Sequence, residues 1–165
     1  MHKRNIVHRD IKIENILMSN YNNDAQLRIA DLGSAIKLRK ASDTTKFQIG
    51  TPGYMAPEIL LGKAYNFSCD IYSIGALMFV LLTAQLPFWD NNRRERKRRV
   101  CYENLDLEAD ESSRILSPEA KDLLYGMLAK PVSERLTIDE VLAHPWFSGM
   151  EDQSVDVAVN EAASL

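Results

Sequence analysis

Short apolar runs separated by polar turns mark the first third of the chain. Residues 16–18 (Ile-Leu-Met) and 27–29 (Leu-Arg-Ile) flank a stretch rich in Ser, Asn and Asp. Such residues bend the chain, so the pattern predicts a β hairpin. Residues 33–53 are polar and contain three glycines. They are predicted to form a long loop, which in a compact domain is usually functional.

The second half of the chain has helical patterns. Residues 70–82 are apolar nearly all round, which predicts a buried helix with Asp70 as a cap near its N-terminus. Ser117 followed by proline predicts the start of another helix, and the capping box that opens at Thr137 predicts a third. The chain is therefore predicted to be mainly α with a small β hairpin.

Composition and charge narrow the class of protein. The 165 residues are 45% hydrophobic and 26% charged, which is typical of a globular chain. A net charge of −3, from 20 basic and 23 acidic residues, excludes an overall basic nucleic-acid binder. The two cysteines, without any signal-peptide or membrane-spanning pattern, predict an intracellular, cytoplasmic protein.

Three strings of polar residues carry candidate chemistry. They are HRDIKIEN at 8–15, DLG at 31–33 and GTPGYMAPE at 50–58. In this order they resemble the catalytic loop, the metal site and the end of the activation loop of eukaryotic serine/threonine protein kinases. The resemblance implies the C-terminal lobe of the protein-kinase fold, an α+β unit, for residues 1–149. Residues 150–165 carry four acids and no base, and are expected to form a disordered tail.

The resemblance implies a role for each residue of the catalytic loop and the metal site. Asp10 would accept the proton of a substrate hydroxyl, and Lys12 would place a positive charge beside the transferred phosphoryl group. Asn15 and Asp31 would hold Mg²⁺, since amide and carboxylate oxygens are ligands that this ion prefers. The implied reaction moves the γ-phosphoryl group of ATP to Ser or Thr hydroxyls of protein substrates.

Further residues are implied to bind ATP or substrate. Leu17 would lie under the adenine ring, with Leu77 and Leu81 stacked below it. Glu14 resembles the residue with which basophilic kinases contact an arginine, so substrates with basic sites are expected. The implied binding set is Lys12, Glu14, Asn15, Leu17 and Asp31.

A third group is implied to be structural or regulatory. Glu58 and Arg135 resemble the family's buried ion pair, and Asp70 resembles the residue that holds the backbone of the catalytic loop. Arg9 can pair with a phosphate on the activation loop. The candidate acceptors there are Ser42, Thr44 and Thr45, and the structural set also includes His8, Gly33 and Thr51.

The resemblance is greatest to the calcium/calmodulin-dependent kinase group. The long turn at 20–24, the GTPGY string and the HPW string at 144–146 carry it. No basic amphipathic segment follows Gly149, so a calcium response is not predicted. Leu32, Ile13 and Tyr72 depart from the family's usual Phe, Pro and Trp, but none of these changes removes a charge that the chemistry needs.

The sequence contains no counterpart of the family's Gly-rich loop, phosphate-binding lysine or glutamate partner, which lie upstream of the catalytic loop. The kinase lobe is therefore expected to be truncated on its N-terminal side. The free chain is expected to be nearly inactive, with apolar surface exposed on the helix at 70–82. The alternatives are a non-catalytic interaction protein made of a kinase lobe, and an incomplete gene model.

A basic run lies at 93–99, where Glu95 alone interrupts six basic residues. One interpretation is a docking patch for acidic partners or nucleic acid. The other is a solvated helix face, which is favoured because charge runs are usually solvated. No nucleic acid or membrane is predicted as a partner, and the oligomeric state is left open.

Overall fold

The computed structural model describes residues 1–20, 26–109 and 111–148. The strands of this part are β1 (Ile6–Val7), β2 (Ile16–Met18), β3 (Leu27–Ile29) and β4 (Ile36–Lys37). The helices are α1 (Pro57–Leu60), α2 (Ser68–Thr83), α3 (Arg93–Tyr102), α4 (Glu111–Arg114), α5 (Pro118–Met127) and α6 (Ile138–Leu142). The described chain is thus mainly helical, and its strands form two small antiparallel sheets.

The predicted hairpin is confirmed at its predicted residues. β2 and β3 pair antiparallel, with Ile16 opposite Ile29 and Met18 opposite Leu27. The hairpin is not covered by other parts of the described chain, because Leu17 is 53% exposed and Leu27 is 65% exposed. Most of the predicted turn at 20–24 and the predicted tail at 150–165 lie outside the described residues.

The segment 33–53 is not the uninterrupted loop that its composition predicts. β4 lies within it and pairs with β1, so that Val7 is opposite Ile36. Thr45 and Tyr65 then form an isolated bridge through two backbone hydrogen bonds of 2.9 Å. Such short pairings are stabilised by contacts distant in sequence, so periodicity could not reveal them.

α2 is the central helix and confirms the helix predicted at 70–82. It packs against α5 so closely that a Cβ atom on Gly75 would lie 2.8 Å from the Cβ atom of Met127. The prediction that α2 is buried throughout is wrong for one face, where Leu77 is half-buried and Leu81 is 66% exposed. The expected apolar exposure on this helix is therefore present at its C-terminal end.

The helix starts are mostly as predicted. The side chain of Ser117 accepts a hydrogen bond from the backbone of α5, and Thr137 opens α6 with the predicted capping box. Asp70 is the exception, because α2 begins at Ser68 and its N-cap residue, Phe67, makes no side-chain capping bond. Asp70 lies within the first turn instead, and its carboxylate is used by the catalytic loop.

α3 contains the basic run, and only Val100 and Cys101 are buried in it. Its N-terminus is capped by Asn92. Both cysteines, Cys69 and Cys101, are buried and free. No described helix is long and apolar enough to span a membrane.

Candidate active site

The catalytic-loop string lies between β1 and β2, and Asp70 of α2 holds its backbone. The Asp70 carboxylate accepts hydrogen bonds from the backbone nitrogens of His8 (2.8 Å) and Arg9 (2.9 Å). Arg9 has a φ of 70°, a left-handed conformation that costs energy for a residue with a side chain. Two charge-assisted hydrogen bonds to a carboxylate that is 1% exposed offset this cost and place Asp10 next in the chain.

His2 is a third donor to Asp70, and sequence reasoning missed it. Its Nε2 atom lies 2.9 Å from the Asp70 Oδ2 atom, and its ring lies 5.0 Å from the ring of Phe67. The contact joins residues 68 positions apart. No motif marks His2 in the sequence, so only the fold could reveal that it orients the carboxylate.

The side chain of His8 ties the catalytic loop to the end of the hairpin. Its Nε2 atom lies 3.1 Å from the carbonyl oxygen of Ala30, and its Nδ1 atom accepts a hydrogen bond from the Asp10 backbone nitrogen at 3.3 Å. A tautomer with its proton on Nε2 satisfies both contacts. His8 is fully buried.

The carboxylate of Asp10 is held by residues of two strings. The Thr51 hydroxyl donates to Oδ1 at 2.6 Å, and the Lys12 Nζ atom lies 3.0 Å from Oδ2. Lys12 also donates to Thr51 at 2.9 Å, so the three side chains form a closed set. Burial acts to raise the pKa of Asp10, but the hydrogen bonds from Thr51 and Lys12 outweigh it and lower the pKa. The hydrogen bond to Asp10 in turn raises the pKa of Lys12.

Asn15 and Asp31 lie at the same end of the hairpin. The Asn15 carbonyl accepts a 2.8 Å hydrogen bond from the Ala30 backbone nitrogen, which brings Asp31 next to the strand start. The Asn15 Nδ2 atom donates to the Asp10 carbonyl at 2.9 Å. Asp31 is exposed and accepts a hydrogen bond from the Gly33 backbone, where a Cβ atom would lie 3.0 Å from the carboxylate. The arrangement therefore brings together two oxygen-bearing side chains.

The predicted substrate contacts are exposed. Glu14 is exposed. Burial raises the pKa of Tyr54, and the charge of the Glu14 carboxylate raises it further. Leu17 lies on the open face of the hairpin, and Leu81 lies on the open face of α2. The two leucines are thus exposed on different elements, and the adenine site that the sequence implies stays a prediction.

Glu58 and Arg135 form a buried ion pair between α1 and the segment before α6. Their side chains are 5% and 0% exposed, and they meet in two hydrogen bonds of 2.6 and 2.9 Å. The remaining Arg135 nitrogen–hydrogen groups donate to three backbone carbonyls, those of Ala129, Ser68 and Lys130. All five donors of the guanidinium are therefore used.

Arg9 extends beneath segment 33–53. Its Nε atom donates to the Ser34 carbonyl at 2.5 Å, while its Nη1 atom is buried without a hydrogen-bond partner among the described residues. Burial raises the pKa of Tyr65, and the positive charge of Arg9 opposes that rise. Tyr65 also donates to the Phe47 carbonyl at 2.6 Å. Tyr65 is a second residue that the sequence did not mark.

The candidate phosphate acceptors differ in exposure. Ser42 and Thr44 are exposed, whereas Thr45 is 8% exposed and engaged in the bridge with Tyr65. An enzyme could therefore reach the Thr44 hydroxyl without opening the segment, but not the Thr45 hydroxyl.

Two of the three sequence strings thus meet at the Asp10 carboxylate, and the third follows β3 at the end of the hairpin where Asn15 lies. Residues 1–147 match the family described as the protein kinase domain. The chain belongs to this family. Among curated relatives, the calcium/calmodulin-dependent protein kinase type II subunit delta of Oryctolagus cuniculus is 35% identical over 147 residues. The match covers 89% of this chain and 27% of that protein.

The similarity confirms the resemblance to the calcium/calmodulin-dependent group of serine/threonine kinases. It also agrees with the described architecture, in which a mainly helical lobe carries two small sheets. The chain therefore spans about a quarter (27%) of the length of this curated relative.

Proposed function

We propose that this kinase lobe carries the catalytic residues for transfer of the γ-phosphoryl group of ATP to serine or threonine hydroxyls of proteins. The observation that supports this is the Asp10 carboxylate, held between Thr51 and Lys12. Its lowered pKa keeps it ionised at neutral pH, so that it can accept the hydrogen of a substrate hydroxyl and then take its proton.

Lys12 and Thr51 position this base. One hydrogen bond reaches each carboxylate oxygen, so the group keeps one orientation towards an incoming hydroxyl. The raised pKa of Lys12 keeps it protonated. Its ammonium group therefore also provides positive charge for the phosphoryl group in transfer, where catalysis depends mainly on positioning and charge neutralisation.

The donors at the hairpin end fit Mg²⁺. The side-chain amide nitrogen of Asn15 donates to the Asp10 carbonyl, so the amide oxygen points away from that carbonyl. Asp31 adds an exposed carboxylate. The described residues include no group of three or more His, Cys, Asp or Glu side chains suited to a metal. Two protein oxygens suit an ion that keeps several waters and binds with nucleotide phosphates, whose charge it neutralises. In the same proposal Leu17 contacts the adenine ring.

The preferred substrates in this proposal carry arginine near the accepting hydroxyl. Glu14 is exposed on the same loop as Asp10, so its carboxylate is available to a basic side chain. A Glu14→Gln variant should lose the preference for an arginine-containing peptide over its glutamine analogue while keeping turnover of the analogue.

Regulation by phosphate at Thr44 is part of the same proposal. The buried Arg9 Nη1 atom has no partner among the described residues, and an anion would satisfy it. Thr44 is preferred to Thr45 because its side chain is exposed. Mass spectrometry after incubation with an activating kinase should find phosphate on Thr44 and not on Thr45.

Phosphotransfer under single-turnover conditions tests the main proposal. Excess 165-residue chain is incubated with Mg²⁺, radiolabelled ATP and a serine peptide that contains arginine. Transfer should be slow, because the sequence has no Gly-rich loop, yet it should fall by about 10²–10⁴-fold in Asp10→Asn. Equal transfer by the two chains would remove Asp10 as the base.

A nucleotide titration distinguishes the non-catalytic alternative. If the folded chain neither binds ATP with Mg²⁺ nor transfers phosphate, the catalytic proposal fails, and a lobe that acts only through protein contacts is favoured. Binding that needs both Asn15 and Asp31 supports the proposed ion site.

A further inference from the structure

α3 is attached to the rest of the fold mainly through its C-terminal turn. Val100 and Cys101 are buried there, and the Lys130 Nζ atom donates to the carbonyls of Arg99 and Val100 while lying 3.9 Å from the centroid of the Phe88 ring. The first two turns bury no side chain. The N-terminal part of α3 is thus exposed, whereas its C-terminal turn is packed against the rest of the fold.

The basic residues of α3 fall into two sets. Arg96 lies over the Trp89 ring at 4.2 Å, Arg98 pairs with Glu95 and Glu103, and Arg99 pairs with Glu103 and donates to the Trp89 carbonyl. The other set is exposed and has no ion pair or side-chain hydrogen bond within the described chain; it consists of Arg93, Arg94 and Lys97.

Two residues of the unpaired set lie on a helix face that is exposed at one end of α3 and buried at the other. Arg93, Lys97 and Val100 are spaced at i, i+4 and i+7, so they share one face. Val100 is buried against the body, whereas the two cations are exposed. The face of α3 that packs against the rest of the fold at Val100 is therefore exposed to solvent at Arg93 and Lys97.

A fourth cation lies just after the element that packs against α3. Lys63, after α1, is exposed, and α1 packs against α3. Burial raises the pKa of the Cys101 thiol, and the charges of Lys97, Lys130 and Lys63 oppose that rise. We call Arg93, Arg94, Lys97 and Lys63 the basic face.

The arrangement is unfavourable for α3 in isolation. Arg93 and Arg94 are in the first turn, where the helix dipole disfavours cations. Like charges at i, i+4, as in Arg93 and Lys97, also repel each other. Helix stability does not explain why these charges stand together.

We propose that the basic face docks an acidic peptide segment of a protein partner. Carboxylates at alternate positions of such a segment would meet the guanidinium forks of Arg93 and Arg94 and the ammonium groups of Lys97 and Lys63. Nucleic acid is the poorer fit, because the whole chain has a charge of −3 and the face has no aromatic side chain on which a base could stack. This inference does not depend on phosphotransfer by the chain.

Fluorescence anisotropy with the full chain tests the proposal. The probe is a fluorescein-labelled peptide of alternating Glu and Ser, and its analogue has Gln in place of Glu. The test variant is Arg93→Gln/Arg94→Gln/Lys97→Gln, which relieves repulsion in α3 and should stay folded. The matched control, Lys37→Gln/Arg39→Gln/Lys40→Gln, removes three other exposed charges.

The Glu peptide should bind more tightly than the Gln peptide. The affinity for the Glu peptide should fall by roughly tenfold or more in the test variant and by less than about threefold in the control. Lys63→Gln should have a smaller effect in the same direction. Equal weakening in both triple variants would overturn the proposal, as would tighter binding of a 12-base-pair DNA duplex than of the peptide.

The acidic residues 151–161 of the chain itself are the remaining competitor. Replacing Glu151, Asp152, Asp156 and Glu161 by their amides leaves the affinity for the Glu peptide unchanged if the face serves an external partner. A clear rise in affinity would assign the face to the chain's own acidic residues and overturn the proposal.

Discussion

Two ion pairs of this kinase lobe contain the same chemical groups in opposite surroundings. Glu58 and Arg135 are 5% and 0% exposed and meet through two short hydrogen bonds. Arg98 on α3 and Glu103, which directly follows α3, are 53% and 39% exposed and 3.1 Å apart. Water can replace a lost partner at the surface but not in the interior. Burial, rather than the number of ion pairs, therefore decides which charges specify the fold around the active site.

The largest effect is expected at the buried pair. Arg135→Met leaves the Glu58 carboxylate buried without its partner, and it also removes the donors to three backbone carbonyls. The free energy of unfolding, measured with urea, should fall by about 3–5 kcal/mol. The double variant Glu58→Leu/Arg135→Met removes the stranded charge and should be more stable than the single variant. A loss below about 1 kcal/mol in Arg135→Met would contradict the comparison.

Asp70 is expected to come next. Asp70→Asn keeps the size of the side chain but removes the charge and one acceptor oxygen, so the backbone nitrogens of His8 and Arg9 cannot both keep their carboxylate bonds. The variant should lose about 2 kcal/mol and show faster amide hydrogen exchange at these two residues. In the control His2→Gln, which keeps a donor, exchange should change less. Unchanged exchange in Asp70→Asn would show that Asp70 does not hold the loop.

Asp10 is only partly buried. Removing one of its hydrogen-bond donors should therefore change the pKa of Asp10 more than the stability of the fold. Thr51→Val removes the hydroxyl that donates to Asp10 while burial still acts, so the pKa of Asp10 should rise, as ¹³C NMR titration of the carboxyl carbon can measure. A carboxyl with a lowered pKa stabilises the fold above its unfolded value of 3.8, and this contribution is lost as the pH falls through the folded pKa. Acid should therefore destabilise the variant less than the natural chain.

A control at an exposed threonine keeps that measurement specific. Thr44→Val, in the same segment but outside the active site, should leave the pKa of Asp10 as it is. If the pKa of Asp10 were also unchanged in Thr51→Val, Lys12 alone would account for the lowered pKa of Asp10.

The smallest effect is expected at the surface. Arg98→Gln breaks the contacts with Glu95 and Glu103, yet the urea midpoint should not shift measurably, because water and salt screen exposed pairs. Measurements at low and high salt should agree. A shift comparable to that of Asp70→Asn would mean that exposure does not govern the energetics of these charges.

The predictable parts of the fold are those with local causes. The hairpin follows from apolar residues on both sides of a turn. The starts of α5 and α6 follow from Ser117 and Thr137, each of which accepts a hydrogen bond from the backbone nitrogen three residues further on. The pairing of β1 with β4 has no such local signal, because each strand has two residues and is stabilised by its distant partner. The same holds for α1, a single turn.

The candidate site divides in the same way. Asp10, Asn15 and Asp31 could be predicted as candidate site residues because their residue types and spacing resemble a family, and their catalytic and metal-binding roles stay predictions. His2 and Tyr65 were not found, because each acts through a contact made only in the folded chain, with Asp70 and with Phe47. The misplaced helix cap at Asp70 has the same origin, since its carboxylate serves the catalytic loop rather than its own helix.

The sequence separation of the active-site contacts has a kinetic consequence. The bonds from the catalytic loop to Asp70 close loops of 61 and 62 residues, and the Glu58–Arg135 pair closes one of 77. The entropy of closing such loops is lost before these bonds form, and chains rich in non-local contacts fold slowly. We therefore expect the hairpin and the capped helices to form early in refolding, and the geometry around Asp10 to be completed only when α1, α2 and the catalytic loop have met.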